Sequence, residues 1–203
     1  MDNNDIKNNN NNGNNELKNI AHFLFEGSML KRVMRTGYPF LGRGEESTAA
    51  HSFGACLIAF VLARMTPEVN LEKLLKLILF HDLPEARTGD TNAVHKRYVQ
   101  VDEKLAIDNM IKNLPFKDEL MEVFRDYEAK ESIEAILAHD ADKLDILIAL
   151  KEQGDIGCND AFIWLPYVKN RLKSEQAKKL ADAILNTRWA DWWMKEIIEG
   201  FED

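Results

Sequence analysis

The chain has 203 residues, 45% of them hydrophobic, and a formal net charge of −8. That is enough apolar material for one large core, and an acidic chain with interspersed cations argues against a nucleic-acid backbone binder while leaving room for a small anionic ligand. The cysteines Cys56 and Cys158 sit in neither metal nor redox spacing, no signal peptide opens the chain, and no apolar run approaches the roughly 20 residues of a membrane helix, so a cytoplasmic protein without membrane contact is expected.

Residues 1–15 are dominated by asparagine and read as a flexible tail, leaving residues 16–203 as one domain. Residues 17–33 show helical spacing with a break at Gly27-Ser28, and Lys31, Arg32 and Arg35 cluster before Gly37 and Pro39. Ser47 or Thr48 caps the next helix, whose spacing at Ala50, Phe53, Leu57, Val61 and Met65 predicts its core stripe, with His51 one position off it. Residues 71–80 predict a central buried helix. Residues 101–113 and 117–129 predict amphipathic helices, and residues 131–150 a long one. Helical patterns at 161–172, 175–185 and 189–198 follow, the last with Trp189, Trp192 and Trp193, which are expected to seal a core. No segment alternates at period two, so the fold class is all-α.

Two stretches do not fit a plain helical core. The buried run 77–80 leads straight into His81-Asp82, followed by Glu85, Arg87 and Asp90. The helix 131–150 carries His139, Asp140, Asp142 and Asp145 among its apolar positions. Charges beside a core are costly unless paired or bound to metal. If the helices carrying His51, His81-Asp82 and Asp142 pack together, two imidazoles and two carboxylates converge, a set that suits a divalent transition metal. Glu85, three residues after Asp82, then stands where a proton is exchanged, and Arg35 offers a bidentate phosphate contact. His22 is read as structural, and His95 and His139 as solvated or as lying behind the ligands.

The ordered set His51, His81-Asp82 and Asp142 resembles the HD-domain metal-dependent phosphohydrolases. Leu30-Lys31-Arg32-Val33, Arg35-Thr36-Gly37, Glu46-Ser47, His81-Asp82 with Glu85, and Gly89-Asp90 resemble its 5′-deoxynucleotidase branch. The resemblance implies a bundle of five or more helices around one divalent metal (Mn, Co, Fe, Ni or Zn) held by His51, His81, Asp82 and Asp142. It implies Glu85, with Asp82, as catalytic residues, Arg35 on the phosphate, Asp90 on the sugar, a mononucleotide substrate and a homodimer. Thr36 and Ala50 depart from the family pattern, which commonly has an aromatic and an acidic residue there.

Two other readings stand beside this one. The first is an HD phosphohydrolase of different specificity, acting on cyclic nucleotides or nucleoside triphosphates. No second basic cluster is visible in sequence, which weighs against triphosphates. The other is a non-catalytic nucleotide-binding helical module, which has no need of Glu85 and Arg35 beside a complete ligand set.

Overall fold

The computed structural model describes the backbone of residues 3–200 and the side chains of residues 13–200. Its helices are α1 (Asn3–Gly27), α2 (Thr48–Met65), α3 (Leu71–Phe80), α4 (Glu85–Thr88), α5 (Glu103–Ile111), α6 (Lys117–Ala129), α7 (Ile133–Asp155), α8 (Asn159–Lys169), α9 (Glu175–Leu185) and α10 (Asp191–Glu199). The only extended pairing among the described residues is an isolated antiparallel bridge between Met34 and Ser47, so the all-α expectation holds. The asparagine-rich segment begins α1, and the side chains of residues 1–12 lie outside the described residues.

Helix starts follow local chemistry. Ser47, Asn70, Asp102, Ser132 and Ser174 each accept a hydrogen bond from the backbone N–H three residues on, satisfying a donor that the first turn leaves free. The core is built by α2, α3 and α7, with α8 and α9 packed on α7. Leu62, Leu74, Leu77, Ile78, Leu137, Leu144 and Leu147 are fully buried there. A second cluster around Leu83, Ile111, Leu120 and Phe124 joins α5 and α6 to the chain after α3. His81 and Asp82 therefore lie in sequence between Ile78 of the first cluster and Leu83 of the second.

Three expectations need correction. The stripe chosen for α2 faces outward: Phe53 is 74% exposed and Leu57 58%, while His51, Ser52, Ala55, Ile58, Ala59 and Leu62 form the buried face. Nearly the whole helix is apolar, so spacing alone admits several faces. Close approach to α7 selects the one rich in small side chains. The same helix is long and apolar enough to cross a membrane by length and composition, against the expectation of no such run, yet it packs on α3 and α7. Third, Trp189, Trp192 and Trp193 are not sealed in a core, since all three keep a third or more of their surface exposed.

Of the aspartates in α7, Asp140 is structural. Its fully buried carboxylate accepts from the Lys173 backbone N–H at 2.9 Å and from the Ser174 N–H and hydroxyl, both at 2.7 Å, tying α7 to the start of α9. Asp140→Ala is expected to cost about 2–4 kcal/mol of stability. Thermal denaturation followed by circular dichroism checks this, and metal content at low temperature should not change, because Asp140 points away from the site on the opposite side of α7.

Candidate metal centre

Three helices deliver the four residues expected as ligands. His51 lies one turn into α2 and is wholly buried. His81 and Asp82 follow the last residue of α3, where Pro84, which has no N–H to donate, ends the α-helical ladder. Asp142 lies at the middle of α7. The ligand atoms of His51, His81 and Asp82 fall within 4.8 Å of one another. His51 Nε2 is 3.2 Å from Asp142 Oδ1 and 3.5 Å from Asp82 Oδ2, and His81 Nε2 is 3.1 Å from Asp82 Oδ2. All four expected ligands meet.

The fit to a metal rests on the imidazoles. His81 Nδ1 donates to the Ile78 carbonyl at 2.6 Å, and His51 Nδ1 donates to Asp145 Oδ2 at 2.7 Å. Both rings therefore turn Nε2 into the site, and both Nε2 atoms are buried without a hydrogen-bond partner. An unsatisfied buried polar atom costs about 1–3 kcal/mol, whereas a divalent cation among these donors satisfies both and offsets the crowded carboxylates. A second trio, Glu46, His51 and Asp145, is also close. It shares His51 through the nitrogen already bonded to Asp145, so it orients the ring rather than forming another metal site.

Titration behaviour reflects the same crowding. Burial pulls His51 down, but Asp142 and Asp145 override it and lift its pKa to about 10. Burial raises Asp142, yet the two histidines and Arg35 hold it well below the usual carboxylate range. Asp82 is likewise lowered, burial being outweighed by His81 and His51. Glu85 goes the other way. Burial and the charges of Asp82 and Asp90 push it up to about 8, against Arg35 and a hydrogen bond from Thr48 Oγ1 at 3.0 Å.

Arg35 reaches Asp82 Oδ2 with Nη1 at 3.2 Å. Its backbone N–H bonds the Glu46 carbonyl at 2.8 Å beside the Met34–Ser47 bridge, so the segment before α2 sets its position. Asp90 Oδ2 accepts from the Thr36 N–H at 2.5 Å and the Thr36 hydroxyl at 2.7 Å, and Gly89 before it takes φ +72°, a conformation that favours glycine. Thr36 and Asp90 thus clasp the two loops next to Arg35.

Sequence reasoning gave Asp145 no role in the site, whereas the small residues Gly54 and Ala55 do mark a close helix approach. Asp145 follows Asp142 by three, one helical turn along the same face, which was the available signal. Gly54 makes room for it: a Cβ built there falls 2.1 Å from Asp145 Oδ1. Of the remaining histidines, His139 stacks on Tyr127, which in turn tilts against His81. His22 is exposed on α1 rather than structural, and His95 is exposed beside Phe40. The expectation that no second basic cluster exists is also overturned. Lys96, Lys130, Lys143, Arg171 and Lys173 line the cavity that contains His81, Asp82, Glu85 and Asp142. They are scattered in sequence, so no local run announces them.

Comparison with known proteins agrees with this geometry. The HD domain family matches residues 28–189, and the chain belongs to that family of metal-dependent phosphohydrolases. It is 26% identical over 147 residues to the 5′-deoxynucleotidase HDDC2 of Danio rerio, covering 69% of this chain and 72% of that one. It is 22% identical over 200 residues to a 5′-deoxynucleotidase of an Enterobacter strain, covering 90% and 92%. The crystal structure of the PH0347 protein from Pyrococcus horikoshii superposes with a TM-score of 0.66 at 28% identity, over 81% of this chain and 98% of that one. A predicted metal-dependent phosphohydrolase from Magnetospirillum magnetotacticum shares the fold, with a TM-score of 0.67 at 23% identity over 84% and 91%.

Gly54→Ala is expected to displace Asp145, free the His51 ring and weaken metal affinity about 10–100-fold. Competition against a chelating dye measures this. Asp145→Asn should weaken binding in the same direction, and unchanged affinity in both variants would show that Asp145 does not orient the ligand.

Proposed function

We propose that the protein is a 5′-nucleotidase releasing inorganic phosphate from (deoxy)nucleoside 5′-monophosphates. The reading is carried by the convergence of Arg35 and Glu85 on Asp82, within the His51, His81, Asp142 set. A divalent transition metal, chosen from Mn, Co, Fe, Ni and Zn and held by those four ligands, supplies Lewis-acid polarisation of the phosphate and of an attacking water when bound. Arg35 binds phosphate oxygens through its planar fork. Glu85, whose pKa is pushed up to about 8 by burial and by the charges of Asp82 and Asp90, is the group placed to hand a proton to the departing sugar oxygen. The hydrogen bonds to the Asp90 side chain fall on Oδ2, which leaves Oδ1 for a sugar hydroxyl.

The test is a screen of mononucleotides with phosphate release as readout, on protein stripped by a chelator and reloaded with Mn or Co. Activity should vanish on stripping and return on loading; full activity without metal overturns the reading. Glu85→Gln should lower kcat by about two to four powers of ten while retaining metal. Arg35→Ala should raise KM. Wild-type turnover in Glu85→Gln would remove that residue from the chemistry.

We further propose a homodimer in the cytoplasm, where the free thiols Cys56 and Cys158 stay reduced. The outward face of α2, with Phe53, Leu57, Phe60, Val61 and Met65 each more than a third exposed, is the surface we assign to the second copy. Light scattering should show a dimer for the wild type and a monomer for Leu57→Glu. A wild-type monomer at micromolar concentration defeats the assignment.

A further inference from the structure

Tyr127, two residues from the end of α6, lines the cavity of about 790 Å3 that also contains His81, Asp82, Glu85 and Asp142. Its ring is held from two sides. It stacks on His139 of α7, with centroids 4.0 Å apart and planes at 28°, and it tilts against the His81 ring at 5.6 Å. Its backbone is held as well, because the Tyr127 carbonyl accepts from His139 Nε2 at 2.8 Å. The preceding residue, Asp126, pairs with Lys73 at 2.9 Å and accepts from the Ser132 hydroxyl at 3.0 Å. The end of α6 is thereby tied to α3 and to the start of α7. A phenylalanine would serve all of these contacts equally well, and the hydroxyl is what they leave over. It forms no hydrogen bond with any described residue, although the side chain is half-buried. Burial raises the phenol above its ordinary pKa, and of the surrounding charges Asp142 and then Asp82 add most to that rise. The oxygen therefore lies in the field of two of the metal ligands without being bonded to either.

A tyrosine hydroxyl enclosed by protein usually finds a hydrogen-bond partner, and a ligand pocket fixes its occupant with a few placed polar groups. We propose that Tyr127 is a further substrate-binding residue, whose hydroxyl donates a hydrogen bond to a non-bridging oxygen of the scissile phosphate. The inference rests on the monoesterase reading above. Arg35 approaches from the segment before α2 and offers a planar fork, which satisfies phosphate oxygens on one side. A tetrahedral phosphate also has oxygens in other directions, and Tyr127 approaches from a different element, the end of α6. A neutral donor suits this position. Arg35 shows what a cation does here, since its Nη1 already bonds Asp82 Oδ2 at 3.2 Å. A phenol competes far less for the ligand carboxylates and stays available to the substrate. The contact is one of binding, and the phenol neither gains nor loses a proton. The stack on His139 fixes the ring before the substrate arrives, so little side-chain freedom is lost on binding.

The test uses metal-loaded, full-length Tyr127→Phe, which keeps the ring and its stack on His139 and removes only the hydroxyl. Calorimetry with inorganic phosphate as the probe should show binding about 10–100-fold weaker than in the wild type, the size of a lost hydrogen bond to a charged partner. On the best mononucleotide of the screen, kcat/KM should fall by a similar factor. Metal affinity, read by competition with a chelating dye, should not change. If Tyr127 only packs against His81, phenylalanine does the same work, and wild-type phosphate binding and turnover in Tyr127→Phe overturn the proposal while leaving the nucleotidase reading intact. A fall in turnover with phosphate binding unchanged also overturns it, because the hydroxyl then acts away from the phosphate. So does a weakened metal affinity, which would make the hydroxyl a support for the ligands. Failure of the wild type to release phosphate from any mononucleotide defeats the nucleotidase reading instead, and the calorimetric comparison still decides whether Tyr127 holds a phosphate.

Discussion

The site depends on His51, a fully buried imidazole that serves three carboxylates at once. Its Nδ1 holds Asp145 at 2.7 Å, and its Nε2 faces Asp142 at 3.2 Å and Asp82 at 3.5 Å. Three carboxylates in a bundle interior repel one another and lose hydration, so the fold tolerates them only with positive charge between them. A proton on His51 supplies some of it, which is why its pKa stands near 10. A divalent cation supplies more, from the same place. Proton and metal therefore compete for Nε2, and loading of the site and packing of the α2–α3–α7 core are one energetic problem.

That requirement propagates into helix packing. For Asp145 of α7 to reach a ring on α2, the two helices must come close, and Gly54, Ala55 and Ala59 supply the thin face that lets them. The bulky residues of α2 are left on the other side, where Phe53 and Leu57 face outward. An apolar helix thus spends its small side chains on the site and leaves its large ones for another surface. The aspartates of α7 divide in a parallel way. Asp140 holds the backbone that leads into α9, Asp142 faces His51 Nε2 and Asp145 holds His51 Nδ1, each direction set by the helical turn between them.

Charge is distributed with similar economy around the cavity. Asp82 links the ligand set to Arg35, and burial with the charges of Asp82 and Asp90 raises the pKa of Glu85. Cations from four other segments complete the wall. A net acidic protein can in this way present a locally cationic wall, since local placement rather than overall balance sets the field that a small ligand meets.

Much of this was legible in the chain itself. The helices, their serine, asparagine and aspartate caps, and the anomaly of charges directly after the buried run 77–80 depend on neighbours within a turn or two, so sequence determines them. The pairing of His81 with Asp82 was legible for a related reason, since a histidine beside an aspartate at the edge of a core has few inexpensive alternatives; that His51 and Asp142 meet them is a relation between helices. What only tertiary structure decided were the relations between distant segments. Helical spacing in α2 pointed to the wrong face, because a helix apolar all round has no preferred side until a partner approaches. The tryptophans near the C-terminus looked like a seal, but burial depends on what packs above them. Gly54 and Asp145 are 91 positions apart and the five cavity cations span Lys96 to Lys173, so neither the close approach nor the cluster exists before the chain folds.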